Sequence, residues 1–336
     1  MLEKQSVSDQ HIIDCLNNYY GMSVAILTCL PLGADADASV YKAQTHENLA
    51  YFVKLKRGQL HHDIGITIQL LLHDAGIQQI ISLIKTKQGQ ISQSLDGYTL
   101  FVYPFIAGKD GFAQNLTNNQ WITLGKALRQ VHDLVLPPSM RAQIKRETYS
   151  PKWREVVRSV YLRIETEEFG DSTARQLSAF MKTHQATIQR LVERAERLSF
   201  VLKEQSLPFV LCHSDIHAGN VLIGDNGLLY LVDWDAPTLA PKERDLMFIG
   251  GGVANVWNNH HEEELFYQGY GKTDINKAAL AYYRHERIVE DIADYCQQLL
   301  FTTDGGDDRS EMFKQFTDMF EPRGVVEIAF KTDVDV

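Results

Sequence analysis

The spacing of apolar residues changes along the chain. Early in the chain, three apolar runs have the length and composition of strands, at 24–30, 39–43 and 50–55. Apolar residues at helical spacing occur at 8–20 and 63–75, and helical spacing then dominates from residue 117 onward. This order predicts an α+β protein in which a small antiparallel sheet precedes a larger, mostly helical region.

The length of 336 residues exceeds the usual size of a single domain, so we expect two lobes with separate cores. A strand-like run that ends near Pro104 marks the change from the strand pattern to the helix pattern. We therefore predict an N-terminal lobe over 1–103, a hinge over 104–108 and a C-terminal lobe over 109–336. A helical insertion is expected at about 140–205.

The composition is acidic and otherwise typical of a globular protein, with 44% hydrophobic and 23% charged residues. A net charge of −10 disfavours nucleic acid, whose phosphates require a basic surface, and favours a cationic small molecule. The four cysteines show neither paired nor metal-type spacing, and no apolar stretch is long enough to span a bilayer. We expect a cytoplasmic monomer with free thiols and no membrane partner.

The densest group of polar side chains lies in a loop between two strand-like runs, 209–212 and 221–223. The loop and the run after it supply five candidate side chains: His213, Asp215, His217, Asn220 and Asp233. The spacing of Asp215, Asn220 and Asp233 matches the catalytic loop and metal aspartate of kinases. Phosphoryl transfer requires a carboxylate that accepts the proton of the attacking hydroxyl, and oxygen ligands for Mg²⁺. We therefore predict Asp215 as the general base and the other two as magnesium ligands.

Two alternatives exist for the same loop. His213, Asp215 and His217 alternate, so on an extended segment they point the same way and can bind zinc or iron. That interpretation leaves Asn220 and Asp233 without a role. The loop can also be a polar turn whose Asp and Asn cap local backbone. The joint spacing of His213, Asp215, Asn220 and Asp233 favours the kinase arrangement over both alternatives.

The N-terminal region offers candidates for nucleotide binding. Gly33 lies in a turn where a phosphate-covering loop is expected, although two neighbouring aspartates make this turn a poor phosphate site. Lys54 lies in a strand-like run, and we predict that it binds the α- and β-phosphates of ATP. The next helix contains no glutamate to pair with this lysine. Asp63, at its start, is the one acid well placed, and its pairing with Lys54 is left open.

The predicted hinge offers two backbone groups to an adenine base. By analogy with kinase hinges, the carbonyl of Pro104 would accept a hydrogen bond from adenine N6, and the amide of Ile106 would donate one to N1. A proline fits the first position because only its carbonyl is used there. An edge strand with a terminal proline is the alternative.

A departure from protein kinases points to a particular family. Trp234 and Asp235 stand where protein kinases have Phe-Gly. The Asp-x-Asp pattern of Asp233 and Asp235, together with His213-Ser-Asp-x-His217, resembles the aminoglycoside phosphotransferase family of small-molecule kinases. Three further segments extend the resemblance over nearly the whole chain: 150–155, 241–252 and 282–291.

This resemblance implies a bilobal, protein-kinase-like fold and transfer of phosphate to a hydroxyl of a cationic aminocyclitol or aminoglycoside, spectinomycin above all, with antibiotic resistance as the result. ATP, or another nucleoside triphosphate, is the implied co-substrate and Mg²⁺ the implied cofactor. Because fold and chemistry do not fix the acceptor, a kinase for a housekeeping amine or sugar alcohol such as choline is an alternative. A catalytically inactive nucleotide-binding protein is a second alternative, suggested by the poor glycine loop and the missing helix glutamate.

Acidic residues on the last long helix are candidates for substrate binding. Glu286, Glu290 and Asp294 recur at helical spacing opposite an apolar face. We predict that they, with Asp235, bind ammonium groups of the substrate through charge-assisted hydrogen bonds. A solvated helix face is the alternative.

Two other residues are expected to support the loop around Asp215. His213 is expected to brace the loop rather than react. Asp245 is expected to cap or bond the loop backbone without touching substrate.

Overall fold

The computed structural model describes residues 7–30, 38–58, 63–251, 253–254, 256–302, 306 and 308–333. The chain folds into two compact units: Met1–Asp110 with Leu222–Asp235, and Gly111–Val221 with Ala236–Val336. The first unit therefore includes a late segment, Leu222–Asp235, which the predicted lobe boundaries place in the second. Among the described residues, no helix is long and apolar enough to cross a membrane.

The helices and strands follow the predicted order. The strands of the described residues are β1 (Val24–Leu30), β2 (Ala38–Thr45), β3 (Ala50–Arg57), β4 (Gln93–Leu95), β5 (Tyr98–Pro104), β6 (Gly108–Asp110), β7 (Lys145–Arg146), β8 (Val210–Cys212), β9 (Val221–Gly224), β10 (Leu229–Leu231) and β11 (Thr238–Ala240). The helices are α1 (Asp9–Cys15), α2 (Ile64–Asp74), α3 (Asn118–His132), α4 (Pro138–Arg141), α5 (Lys152–Thr166), α6 (Ser172–Thr183), α7 (Gln185–Lys203), α8 (Glu243–Leu246), α9 (His260–Tyr270), α10 (Lys277–Leu300), α11 (Asp308–Asp318) and α12 (Val325–Thr332).

The first unit is built on a five-stranded antiparallel sheet with the strand order β1-β2-β3-β5-β4. Alternate side chains of its strands, including Tyr41, Val53 and Leu55, point to one face and are fully buried. Helix α1 contributes Ile12 and Cys15 to the same hydrophobic cluster. The predicted antiparallel sheet of the N-terminal region is confirmed.

The segment Leu222–Asp235 belongs to the first unit because it pairs with the backbone of that unit. β9 pairs antiparallel with β6, and β10 extends this pair to a three-stranded sheet. Leu231 also forms a parallel bridge with Ile80. A Cβ atom built on Gly65, in α2, would lie 2.1 Å from the carbonyl oxygen of Trp234, so only glycine allows this approach. The end of the segment is thereby held beside α2.

The second unit is organised around α10, which packs against α5, α6, α7, α8, α11 and α12. Ile288, Val289, Ile292 and Cys296 of α10 are buried in the main hydrophobic cluster of this unit. The helix is therefore covered on several sides rather than along one apolar stripe. The predicted helical character of the second region is confirmed.

Helices α3 and α9 of the second unit approach each other at their backbones. A Cβ atom built on Gly125 would lie 2.1 Å from the carbonyl oxygen of Phe266. Helix α3 begins with a capping box, in which the Thr117 hydroxyl accepts from the Gln120 amide and the Gln120 side chain accepts from the Thr117 amide. The cap fixes the start of a helix whose middle requires glycine.

We expect Gly125→Ala to lower the free energy of unfolding by about 1 to 3 kcal/mol, because the added methyl group meets backbone rather than a movable side chain. The better helix propensity of alanine, about 1 kcal/mol, offsets only part of this effect. Denaturant unfolding measures the change. Gly170→Ala is the control, since nothing lies within 4 Å of a Cβ atom built there. Equal effects of the two substitutions would contradict the packing argument.

Candidate active site

The loop that holds Asp215 is fixed through its backbone. β11 pairs antiparallel with β8, the strand that leads into the loop. The carboxylate of Asp245, in α8, is fully buried and accepts hydrogen bonds from the amides of His213 (2.9 Å) and Ser214 (2.7 Å). Ser214 has a left-handed φ of 78°, a strained conformation that these bonds hold in place.

His132, in α3, is bonded to the same carboxylate. Its Nε2 lies 3.0 Å from Oδ2 of Asp245, and its Nδ1 lies 2.7 Å from the hydroxyl of Tyr270. Burial raises the pKa of Asp245, but the hydrogen bond of His132, the nearby ring of His213 and the hydrogen bond from the Ser214 amide together outweigh burial and place the pKa below its ordinary value. The sequence pattern does not indicate that His132 bonds to Asp245. A histidine on an amphipathic helix can as well be a core residue without such a partner.

Three side chains of the loop contact one another. Asn220 donates from Nδ2 to the backbone oxygen of Asp215 (2.8 Å) and to its Oδ2 (3.3 Å). Nε2 of His217 lies 3.5 Å from the same Oδ2. The side-chain oxygen of Asn220 has no hydrogen-bond partner among the described residues. The side chain of Asp215 is 42% exposed, so a ligand can reach the carboxylate.

Arg287 and Asp291, in α10, complete the surroundings of Asp215. Arg287 donates from Nη1 to Oδ1 of Asp215 (2.5 Å) and from Nε to Oδ1 of Asp291 (2.9 Å). Burial alone would raise the pKa of Asp215, but His217 and Arg287 lower it below the ordinary value. Burial raises the pKa of Asp291 to about 6, although Arg287 opposes this. Sequence reasoning missed both residues, and their opposite charges at i,i+4 spacing within 282–291 are the one available signal.

The first unit brings two lysines of β3 and two aspartates together. Lys54 and Lys56 alternate in the strand and therefore point to the same face. Nζ of Lys54 lies 2.8 Å from Oδ2 of Asp235 and 3.5 Å from Oδ1 of Asp233. Nζ of Lys56 lies 3.1 Å from Oδ2 of Asp235. Burial raises the pKa of Asp235, but the two lysines outweigh burial and lower it.

The pairing of Asp63, left open by the sequence, is with Lys56, and Asp235 has a partner other than the predicted substrate. Asp63 pairs with Lys56 (3.5 Å) and, among the described residues, not with Lys54. The reason is that its carboxylate caps α2, accepting from the amide of Gly65 at 2.8 Å. Asp235, predicted to bind substrate, instead occupies the counter-ion position beside Lys54.

The predicted carboxylate stripe of α10 does not form one face. Glu286 is only 8% exposed and is ion-paired with the buried Arg154, and burial raises its pKa to about 7 although Arg154 opposes this. Asp294 is exposed and accepts from Gln298 at 2.7 Å. Each step of four residues turns about 40° around a helix, so the two acids lie about 80° apart. Between them, Glu290 is half-buried and accepts no hydrogen bond from a described residue.

Both predicted adenine contacts lie in the first unit, and the predicted phosphate loop lies outside the described residues. Pro104 ends β5 opposite Tyr51. The amide of Ile106, just after the strand, donates to no carbonyl within the described part of the chain and is available to a ligand. Gly33 falls outside the described residues.

The available donor atoms suit a hard cation. Asn220 offers an amide oxygen, and Asp233 offers a carboxylate that is 50% exposed; oxygen ligands of this kind are those that Mg²⁺ prefers. A zinc or iron site would need the rings of His213 and His217. Among the described residues, the one group of three such side chains within mutual reach is His132, Cys212 and Asp245, and it is fully buried. The structure therefore does not assemble the loop histidines as a metal site.

The class of the protein follows from these features together. An antiparallel sheet carries a lysine paired with an aspartate, and a helical unit carries a loop with an accessible, anchored aspartate. Together they define a protein-kinase-like phosphotransferase. The model of the phosphotransferase enzyme family matches residues 28–283, and the chain belongs to this family. The predicted fold and enzyme class are confirmed.

Solved structures resemble nearly the whole chain. A spectinomycin phosphotransferase in complex with ADP and spectinomycin is 48% identical, with a TM-score of 0.91 over 98% of this chain and 99% of that chain. Its AMP-bound complex is 47% identical, with a TM-score of 0.87 over 97% and 99%. An aminoglycoside phosphotransferase from Alicyclobacillus acidocaldarius, 14% identical with a TM-score of 0.64 over 98% of both chains, shares the fold. A comparison with curated proteins found no match.

We expect Lys54→Met to raise KM for ATP by about 10- to 100-fold, the effect of losing one or two charge-assisted hydrogen bonds to phosphate. KM for the acceptor should change little. Steady-state kinetics with ADP detection measure both constants. Lys85→Met, an exposed lysine of the same unit, makes the same change in net charge and should leave both constants unchanged. A similar rise in both variants would remove the assignment of Lys54.

Proposed function

We propose that the protein transfers the γ-phosphate of ATP to a hydroxyl of spectinomycin, a cationic aminocyclitol antibiotic, and so confers resistance to it. The observation that carries the reaction is the partly exposed carboxylate of Asp215, held from two sides by Asn220 and Arg287. The identity of 48% to a phosphotransferase whose structure contains ADP and spectinomycin supports the choice of acceptor.

Asp215 accepts the hydrogen bond, and then the proton, of the attacking hydroxyl. Its lowered pKa keeps it ionised and makes it a weak base. A weak base suffices because the transition state of phosphoryl transfer is loose, and positioning contributes more than deprotonation. The contacts of Asp215 with Asn220 and Arg287 supply this positioning.

The nucleotide and its metal ion are assigned to residues from distant parts of the sequence. Asn220 and Asp233 would hold Mg²⁺, which when bound would neutralise charge on the nucleotide phosphates. Lys54 binds the α- and β-phosphates. The carbonyl of Pro104 and the amide of Ile106 bind adenine, and residues 104–108 act as the hinge.

The acceptor is recognised by carboxylates of α10. Glu290 and Asp291 take the place of the buried Glu286 and the exposed Asp294 in this role. Glu290 accepts no hydrogen bond from a described residue. Asp291 is linked to the proposed base by two hydrogen bonds through Arg287. Ammonium groups of an aminocyclitol gain charge-assisted hydrogen bonds there.

We expect spectinomycin, with ATP and Mg²⁺, to give rapid ADP release and a phosphorylated product detectable by mass spectrometry, whereas choline, which has no N–H donor, gives none. Asp215→Asn should lower kcat for spectinomycin by about 10²- to 10⁴-fold with little change in nucleotide affinity. Choline turnover equal to that of spectinomycin would refute the assignment of spectinomycin as the acceptor. Near-normal turnover in Asp215→Asn would refute the assignment of Asp215 as the general base.

We expect Glu290→Gln to raise KM for spectinomycin by about tenfold or more, because a charge-assisted hydrogen bond to an ammonium group becomes a neutral one. KM for ATP should stay constant, and added salt should narrow the difference between wild type and variant. Asp294→Asn, on the same helix, is the matched control and should have no effect. If both variants behave alike, the proposed role of Glu290 is wrong.

A further inference from the structure

His217 is held in a defined position beside the proposed base. Its ring packs against the rings of Phe112 and Phe248, at centroid distances of 5.6 Å and 6.1 Å. Its Nδ1 accepts a hydrogen bond of 3.0 Å from the amide of Gly219. Its Nε2 lies 3.5 Å from Oδ2 of Asp215. Two aromatic rings and one backbone amide thus fix the imidazole, and its second nitrogen is turned toward Asp215.

The amide of Gly219 fixes the tautomer of this ring. A ring nitrogen that accepts a hydrogen bond carries no proton, so in the neutral imidazole the proton is on Nε2. Nε2 then donates toward Oδ2 of Asp215, and Nδ2 of Asn220 donates to the same oxygen at 3.3 Å. The two donor nitrogens lie 3.4 Å apart, as expected for two donors that share one acceptor. His217 has no lone pair left for an incoming hydroxyl, so it acts on the proposed base and is not itself the base.

The close approach of the ring requires glycine at position 219. A Cβ atom built on Gly219 would lie 2.8 Å from Cε1 of His217 and 2.9 Å from Cε2 of Phe112. Any side chain at this position would therefore displace the imidazole from its amide. Gly219 does not have a left-handed φ, so the contact with the ring, and not the backbone conformation, is what demands glycine.

The donors around Asp215 reach both oxygens of its carboxylate. Nη1 of Arg287 lies 2.5 Å from Oδ1, whereas His217 and Asn220 face Oδ2. Donors on both oxygens fix the plane of the carboxylate, which otherwise turns freely about its last side-chain bond. Burial raises the pKa of Asp215, but the hydrogen bond of His217 and the charge of Arg287 outweigh it. Asn220 is also a proposed metal ligand, so His217 is the donor to Oδ2 that has no second role in the scheme.

We propose that His217 is a positioning residue for phosphoryl transfer. Held by the Gly219 amide as an Nε2–H donor, it keeps the carboxylate of Asp215 in the plane in which the carboxylate meets the acceptor's hydroxyl. The inference rests on the proposed role of Asp215 as the base. The proton of the hydroxyl passes to Asp215, and His217 keeps its own proton throughout.

We expect His217→Leu to lower kcat for spectinomycin by about 10- to 100-fold, the effect of losing a hydrogen bond that aligns the base. KM for ATP and KM for spectinomycin should change little, because neither ligand contacts the ring in this scheme. His217→Gln, whose amide nitrogen can reach the place of Nε2, should recover most of the loss. Gly219→Ala, which displaces the ring without removing it, should also lower kcat. Steady-state kinetics with ADP detection measure these constants.

The Asp215→Asn background separates positioning of the base from a general structural role. In that background the base is absent, so His217→Leu should cause no further loss of kcat. His184→Leu is the matched control, because the ring of His184 also packs on a phenylalanine, 3.8 Å from Phe180, and its Nδ1 also bonds to backbone. It should leave kcat unchanged.

The tautomer is measured without turnover. Nitrogen NMR of the full chain with isotopically labelled histidines should show an Nε2-protonated ring whose signals disappear in His217→Gln. A ring protonated on Nδ1 would overturn the proposal, as would near-normal kcat in His217→Leu. An equal loss in the leucine and glutamine variants, in the two Asp215 backgrounds or in the His184 control would also overturn it. Absence of spectinomycin turnover in wild type would instead refute the proposed acceptor, since the tautomer is read independently of it.

Discussion

The proposed site depends on the hydrogen bonds that the buried carboxylate of Asp245 accepts from the loop backbone. Removing an ionised carboxylate from water costs several kcal/mol, and the structure offsets this with two backbone amides and the ring of His132. Because the amides belong to His213 and Ser214, the bonds also hold the left-handed backbone at Ser214. The direction in which Asp215 leaves the loop is set by that backbone. A residue that touches no substrate in this scheme therefore decides where the base lies.

The elements of the fold, and the residues of the central loop, were predictable because their signals are local. Apolar periodicity identifies β1, β3 and α2 within one or two residues, and the spacing of Asp215 and Asn220 lies within a single loop. The ion pairs were not predictable in the same way. Lys54 and Asp235 are 181 residues apart, and Arg287 and Asp215 are 72 apart. Tertiary packing decides which carboxylate meets each of these cations. The sequence alone offers several carboxylates as possible partners and does not distinguish among them.

Helix α10 shows why its acidic stripe was misinterpreted. Charged residues at helical spacing are typical of a solvated face, of a buried ion pair and of a ligand site alike. In this helix Glu286 pairs with the buried Arg154, whereas Arg287, the next residue, turns toward Asp215. The two ion pairs therefore involve neighbouring residues of α10. The pair of Glu286 with Arg154 lies in the core, and the pair of Arg287 with Asp215 holds the loop. Helix α10 is packed on several sides, so charged residues at neighbouring positions meet different surroundings. Apolar periodicity does not show which surroundings each residue meets.

The pairing of Lys54 with Asp235 has a consequence for nucleotide binding. The lysine, its counter-ion and the proposed metal ligand Asp233 all belong to the first unit, so their spacing is fixed by one sheet and the segment bonded to it. In the proposed mode of nucleotide binding, Lys54 would exchange a carboxylate oxygen of Asp235 for phosphate oxygens. Leaving the half-buried carboxylate of Asp235 without a partner would make this exchange costly. Lys56, 3.1 Å from the same oxygen of Asp235, keeps that carboxylate paired, so the second lysine of β3 lowers the cost of releasing the first.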